Sequence, residues 1–331
     1  MKKVLSFGEA LIDMLSNRIG GGNDTSQEHF TKYPGGAPAN VAAAVGKLGG
    51  RSYFAGKVGA DMFGDYLKAA LEDMKVHTDY LLQTREAKTA LAFVSLDETG
   101  ERSFEFYRGP SADLLFSEKE FKPEWFDDPG IFHFCSNTLT EPAIRKATLA
   151  GVAQARAAGF IVSFDLNLRL NLWPGDNDPF EVVWGCLEQA DIVKLCVEEL
   201  EFLCRYEGEA QVLQRLLSAG VSLILVTDGG APLRYYTESL HGVVQPPKVK
   251  MVDSTAAGDA FVGGFLYRLS RLDISVSGLA ELGADQDALE SILCFACACG
   301  AHAATHAGAF SSLPELGDLE LTRQSAIRSV S

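Results

Sequence analysis

Residues 251–266 read MVDSTAAGDAFVGGFL: an apolar strand-like run, an acid, two hydroxyl residues, three small residues and a second acid, after which apolar residues return at helical spacing. A helix that starts here presents unpaired backbone N–H groups and a partial positive charge, which together favour an anion. Side chains as small as those of Ala256, Ala257 and Gly258 would let a phosphate approach those N–H groups closely. Asp259 then has two readings. It caps the helix, or it accepts a proton from an attacking hydroxyl while the N–H groups hold a transferring phosphoryl group. Caps are far commoner than bases, so this stretch alone favours the cap.

Four other groups of residues carry possible chemistry. In YPGGAPANVAAAVGKLGG (33–50), Gly35 and Gly36 open a turn and Asn40 begins a small-residue helix, as its cap or as a partner for a polyol hydroxyl. Asp13 of GEALIDM follows a short strand, where α/β proteins place ligand contacts; the alternative is a solvated loop acid. Asp165, Asn167 and Arg169 of DLNLRLNLW alternate at a strand end and so point to one side. Arg169 could grip a phosphate in two-pronged fashion, or pair with Asp165. Arg108 and Asp113 of FYRGPSAD flank a turn, touching a substrate or pinning a loop. Cys294, Cys297 and Cys299 with His302 and His306 suggest zinc only superficially. They lie in an Ala-rich helical pattern in which Cys299 leaves the face shared by 294 and 297, so core cysteines are the better reading. No GxxxxGK[ST] loop and no GxGxxG opening a βαβ unit is present.

The elements that would position these residues alternate along the chain. Strand-like runs at 4–7, 52–58, 131–134, 160–166, 191–195 and 222–227 are apolar throughout. Helical patterns run over 39–49, 62–74, 141–158, 179–190, 197–205, 209–219, 257–270 and 286–305. Apolar strands separated by helices predict a three-layer α/β/α arrangement with a central, mostly parallel sheet. Residues 86–108 instead alternate apolar and polar side chains on both sides of Asp97–Gly100, which predicts a β-hairpin. With the Gly-rich stretch before residue 36 it would form a small β-sheet lid, from about 14–34 and 86–110, on a single domain spanning 1–331. The lid's apolar alternation permits a homodimer and equally a monomer. The 331 residues and 47% hydrophobic content suffice for a sizeable core, and the polar tail after 311 is expected to be peripheral. The net charge of −15 argues against nucleic acid and anionic lipid as partners, and no run of 18 uncharged apolar residues predicts a membrane span. The N-terminal run is broken by Glu9 and Asp13, unlike a signal peptide, and seven cysteines fit reduced thiols, so a cytoplasmic location is expected.

In this order and spacing, the groups resemble the ribokinase-like (PfkB-type) sugar kinases over nearly the whole chain, from GEALIDM to AFSSLP. The N-terminal signature is matched by Gly35, Gly36, Asn40, Gly49 and Gly59 with GKVGADMFG, and the C-terminal one by Asp253 to Leu266. GGAPANVA, FEFYRGPSAD, DLNLRLNLW and IVKLCVEELEFL are most similar to the bacterial fructokinase branch. The resemblance implies ATP-dependent phosphorylation of a primary sugar hydroxyl, with Asp259 as base and the backbone of Ala256, Ala257 and Gly258 as anion hole. It implies sugar contacts at Asp13, Gly35, Gly36, Asn40 and Phe104, with Arg108 and Arg169 on sugar or phosphate. It implies nucleotide contacts at Lys194, Glu199, Thr227, Gly229, Gly258 and Cys297, magnesium held by Glu199 through water, and potassium at Asp253, Thr255, Ala303, Gly308 and Ser312. The chain departs from the family pattern at Ala256 and Pro232, usually glycines, at Cys196, usually asparagine, and at Cys297, polar in many members. The resulting expectation is conversion of D-fructose to fructose 6-phosphate with ATP and magnesium. A 2-keto-3-deoxygluconate kinase, a ribokinase, an aminoimidazole riboside kinase and a non-catalytic sugar- or nucleotide-binding regulator remain as alternatives.

Overall fold

A computed structural model describes residues 1–19, 27–96, 102–173, 175 and 178–319. The chain opens with β1 (Lys3–Phe7), β2 (Leu11–Ile19) and β3 (Phe30–Gly35), then α1 (Ala37–Lys47), β4 (Arg51–Gly59), α2 (Met62–Asp73) and β5 (Leu81–Thr84). β6 (Leu91–Leu96) and β7 (Arg102–Tyr107) follow, then β8 (Ile131–Cys135), α3 (Pro142–Ala157), β9 (Ile161–Asp165), α4 (Phe180–Leu187) and β10 (Ile192–Cys196). The second half holds α5 (Val197–Leu203), α6 (Glu209–Ser218), β11 (Leu223–Thr227), β12 (Leu233–Tyr236), β13 (His241–Val244), α7 (Ala257–Leu272), α8 (Val276–Ala284) and α9 (Gln286–Ala303).

Nine strands form one sheet in the order β13-β12-β11-β10-β9-β8-β1-β4-β5. It is parallel except at β12 and β13. Every residue of β1, β8 and β9 is buried, as strands covered on both faces must be. One face packs against α3 to α6, through residues such as Ala147, Trp184, Leu200 and Val212. The other packs against α1, α7, α8 and α9, through Val41, Phe265, Leu279 and Leu293. The predicted three-layer α/β/α architecture is the observed one, and each predicted strand and helix lies within a few residues of its element.

A separate four-stranded sheet has the order β3-β2-β6-β7. The predicted hairpin is present, with Leu91 opposite Tyr107 and Leu96 opposite Arg102. Its turn at 97–100 and residues 20–26 of the Gly-rich stretch lie outside the described residues. β2 carries Asp13 opposite Tyr33 of β3 and Ala92 of β6, so the acid lies in a strand rather than a loop.

Close helix contacts fix the start of α7. A Cβ on Gly263 would fall 2.4 Å from Ala44 Cβ, and one on Gly264 would fall 2.5 Å from Cys299 Sγ. The two glycines thus let α1 and α9 approach on neighbouring faces of α7. Gly263→Ala is expected to lower the melting temperature. Overpacking against a helix costs about 1–3 kcal/mol, against roughly 0.5–1 kcal/mol returned in helix propensity. A variant melting at or above the parent temperature in calorimetry would show that α1 and α7 are not this closely joined. No described helix is long and apolar enough to cross a membrane.

Candidate active site

The loop between Asp253 and α7 reverses the chain through Ala256, whose φ of 57° and ψ of 9° are left-handed. Alanine pays about 1–2 kcal/mol for this conformation, which glycine adopts freely. Ala256 is the N-cap residue and supplies no side-chain cap. Asp259 is therefore not the cap that its position suggested. The N–H of Ala257 donates to the Ser254 carbonyl at 3.2 Å, and that of Ala260 to the Ala256 carbonyl at 2.7 Å. Between them, the N–H groups of Gly258 and Asp259 donate to no acceptor among the described residues. Of the Ala256–Gly258 set expected from sequence, the Ala257 N–H is the one with a backbone acceptor among the described residues.

Asp259 Oδ2 accepts a hydrogen bond from Asn40 Nδ2 at 2.7 Å, joining residues 219 positions apart. Asn40 is likewise not a cap, because α1 is capped by Gly36 and the Asn40 N–H donates to the Gly36 carbonyl at 2.8 Å. Burial pushes the Asp259 carboxyl up to about 6, with Asp165 adding to the rise, while the Asn40 hydrogen bond, Lys194 and Arg169 oppose it. A carboxyl in that range can take a proton at neutral pH and return it. Lys194 Nζ lies 3.0 Å from Asp165 Oδ1, as an ion pair, and donates to Oδ2 at 3.3 Å. A Cβ on Gly258 would stand 3.6 Å from that ammonium, so the cation lies against the start of α7. Burial works against the Lys194 charge, but Asp165 and Glu199 outweigh it and hold the ammonium above its ordinary range.

A second set of polar groups lies beside the first. Asp13 crosses the β2–β3 pair so closely that a Cβ on Gly35 would fall 2.3 Å from its Oδ2. Gly36, at φ 102°, passes over Glu9, whose carbonyl would lie 2.5 Å from a Cβ there. Glu9 Oε1 accepts from Ala37 N at 3.3 Å and from Asn137 Nδ2 at 2.9 Å. Arg108 Nε donates to Asp113 Oδ2 at 2.7 Å, and Ser111 Oγ fastens the other oxygen of Asp113 at 2.6 Å. Burial raises the Glu9 carboxyl, with Arg108 opposing. Glu9 Oε2, Asn40 Oδ1, Arg108 Nη2 and Asn137 Oδ1 are all buried and have no hydrogen-bond partner. Unpaired buried polar atoms cost about 1–3 kcal/mol each. The four stand on neighbouring elements: the ends of β1 and β8, the start of α1 and the segment after β7.

Glu9 and Asn137 were not among the residues expected from sequence. Glu9 stands in the same GEALIDM stretch as Asp13, and Asn137 follows directly on a predicted parallel strand, so the strand-end rule that picked out Asp13 covers both. The expected alternation from Asp165 to Arg169 stops at Asp165. Asn167 turns left-handed at φ 37°, and Arg169 is exposed yet still acts on Asp259.

Comparison with known proteins agrees with this geometry. The pfkB family carbohydrate kinase profile matches residues 1–316. Fructokinase-1 of Oryza sativa subsp. japonica is 42% identical over 312 residues, covering 94% of each chain. The structure of a Xylella fastidiosa fructokinase with bound ATP superposes with a TM-score of 0.92 at 44% identity, over 98% of each chain. A double-mutant Vibrio cholerae fructokinase holding fructose, ADP and a potassium ion superposes at 0.84 with 36% identity, over 97% of this chain and 98% of that one. The chain belongs to the PfkB family of carbohydrate kinases. It is an ATP-dependent sugar kinase.

The remaining residues implied by the PfkB resemblance divide by their surroundings. Thr227 ends β11 beside Cys196 of β10 and donates to the Leu195 carbonyl at 3.2 Å, and Gly229 follows in an exposed turn at φ 48°. Glu199 uses both carboxylate oxygens on backbone: Oε1 accepts from Leu168 N at 2.7 Å and Oε2 from Cys196 N at 2.8 Å. It thereby ties the segment carrying Arg169 to the end of β10, with Cys196 in the cap position at the start of α5. Cys297 is 5% exposed among the core side chains between α9 and the sheet. Cys299 is buried too, as expected of core cysteines, while Cys294 is exposed, and no set of three metal-ligating side chains occurs among the described residues. Phe104 lies in β7 opposite Val94; its side chain is outside the described residues.

Of the residues implied for potassium, Asp253, Thr255 and Gly308 are in contact. Asp253 accepts from Thr255 N and from Gly308 N, each at 2.9 Å, and Asp253 N donates to the Ala304 carbonyl at 3.2 Å. Ala303 and Ser312 are both fully buried in the segment that joins α9 to Gly308 and beyond. Thr255 Oγ1 is a buried oxygen with no partner. A buried carboxylate and an orphaned hydroxyl are oxygen donors of the kind a hard cation takes.

Proposed function

We propose that this chain transfers the γ-phosphoryl group of ATP to the 6-hydroxyl of D-fructose, giving fructose 6-phosphate. The observation that carries the reading is the Asn40–Asp259 hydrogen bond at the start of α7, with two open N–H groups beside it. The fructokinases at 42% and 44% identity supply the substrate class. Asp259 takes the proton of the attacking hydroxyl as the new O–P bond forms and the γ-phosphorus–bridging oxygen bond breaks. The Gly258 and Asp259 N–H groups, next to Lys194, stabilise charge on the transferring group. Asp13, Asn40, Arg108 and the backbone at Gly35 and Gly36 orient the sugar, and Arg169 faces the phosphate side. Phe104 would contribute from β7, and Thr227, Gly229 and the exposed edge of Cys297 from the nucleotide side.

Magnesium, when bound, neutralises charge between the phosphates. Glu199 would hold it through water, since each of its oxygens already accepts a backbone N–H. Potassium would sit among Asp253, Thr255, Ala303, Gly308 and Ser312, fixing the loop that leads into α7. The small sheet would act as a lid on a single domain, excluding water that competes with the sugar hydroxyl. Its row of Phe30, Phe93 and Tyr107, with ring centroids 5.2 and 5.0 Å apart, would serve for pairing with a second copy.

An ADP-release assay with fructose, ribose, 2-keto-3-deoxygluconate and aminoimidazole riboside tests the assignment. Fructose is expected to give the highest kcat/KM. A higher value with any of the other three would replace the substrate and keep the enzyme class.

A further inference from the structure

The guanidinium of Arg108 is the cation of the sugar-facing polar set, and its charge is already answered inside the protein. Its side chain is 6% exposed and that of Asp113 is 3% exposed. Their contact is a direct ion pair, Nε to Oδ2 at 2.7 Å. Asp113 cannot swing away easily, because its other oxygen accepts from Ser111 Oγ at 2.6 Å and that hydroxyl also reaches the Arg108 carbonyl at 2.8 Å. A second acid, Glu9, acts on the same guanidinium. Yet Arg108 Nη2 is left without a partner, as are Oε2 of Glu9 and Oδ1 of Asn137, whose amide donates to the other Glu9 oxygen. The set therefore offers an incoming molecule one donor and two acceptors but no net positive charge. Arg169 acts on Asp259, at the reacting end.

We propose that Asp113, by cancelling the charge of Arg108 while leaving Nη2 free to donate, makes the site select uncharged polyols and reject sugar acids. A hydroxyl satisfies both kinds of orphaned atom, since it donates and accepts. A carboxylate can only accept. It would meet the Glu9 and Asn137 oxygens without a hydrogen to give them, and would be desolvated next to a cation whose field Asp113 already cancels. Asp113 acts through Arg108 and is a positioning residue rather than a catalytic one. The inference rests on the sugar-kinase reading above and deepens it, by naming the charge class of the sugar and the residue that sets it.

The test compares kcat/KM for fructose and for 2-keto-3-deoxygluconate, a six-carbon keto acid with the same terminal hydroxyl, in the parent enzyme and in Asp113→Asn. Freeing the Arg108 charge is expected to raise the ratio of acid to fructose by roughly ten- to a hundredfold, the range of one charge-assisted hydrogen bond. An unchanged ratio in folded Asp113→Asn overturns the proposal. Because a buried arginine without its acid can prevent folding, the parent enzyme is also titrated with the acid and with its neutral amide, each as a competitor of fructose. The amide is expected to inhibit at least about tenfold more tightly than the acid, and equal inhibition overturns the proposal without any variant. If the parent enzyme does not phosphorylate fructose at all, the substrate assignment above falls, and calorimetric binding of the acid and of the amide to the parent enzyme still decides whether the site discriminates by charge.

Discussion

Replacing Asp259 by asparagine is expected to lower kcat by roughly 10³-fold, within the 10²–10⁴ that a positioned base supplies, with little change in the KM for sugar. The asparagine keeps the shape and the contact with Asn40 but cannot take a proton. The loss therefore falls on the transition state rather than on binding. In the parent enzyme the same carboxyl sets the acid limb of the pH profile. Its ordinary value of 3.8 rises to about 6 on folding, so kcat/KM should fall as pH drops through about 6, two pH units above the limb of a solvated aspartate. The stability linkage has a definite sign. A carboxyl whose value is raised by folding favours the folded state when protonated, and that contribution is complete below about pH 4 and lost as pH rises through about 6. The melting temperature of Asp259→Asn minus that of the parent should thus increase between pH 4 and pH 7 while activity stays low. Near-parental kcat in the variant, or a parent profile flat down to pH 5, would remove Asp259 from the role of base.

Long apolar elements were legible in the sequence because burial on two faces leaves little choice of residue. β1, β8 and β9 are apolar runs and wholly buried. Short or mixed elements were not legible. β5, β12 and β13 are four residues each, too short for periodicity to separate from a turn, and α8 has glycines at two of its nine positions. The chemistry was half legible. The clustering of small residues around Asp259 pointed to an anion-binding helix start, but which N–H groups stay open depended on the left-handed turn at Ala256, a tertiary outcome for a residue that disfavours it. Asp259 and Asn40 each looked like a helix cap. Their partnership lay in the packing of α1 on α7, which Gly263 permits by bringing Ala44 close, and no local pattern reports a contact across 219 residues. Glu9 was hidden for the opposite reason. In sequence it is one acid in an apolar run; only the fold turns it under Gly36 and against Asn137.

The Asn40–Asp259 contact also yields the second large effect, in Asn40→Asp. Asn40 Nδ2 donates to Asp259 Oδ2 at 2.7 Å and opposes the upward push of burial on that carboxyl. A carboxylate in its place has no hydrogen to donate and puts a like charge at hydrogen-bonding distance. One proton would then be shared between the two acids, and the apparent value belongs to the pair. The acid limb of the profile is expected to move up by about two units, so kcat at pH 7 falls roughly tenfold and recovers toward pH 9. Asn40→Ala loses the donor without adding a charge, so its limb should move less than that of the aspartate variant. The ordering aspartate, alanine, asparagine in rising apparent value from last to first separates control of the base from a general loss of sugar binding, which would raise KM at every pH alike. Should all three enzymes share one acid limb, Asn40 serves the sugar alone, and the raised carboxyl at 259 owes nothing to its neighbour on α1.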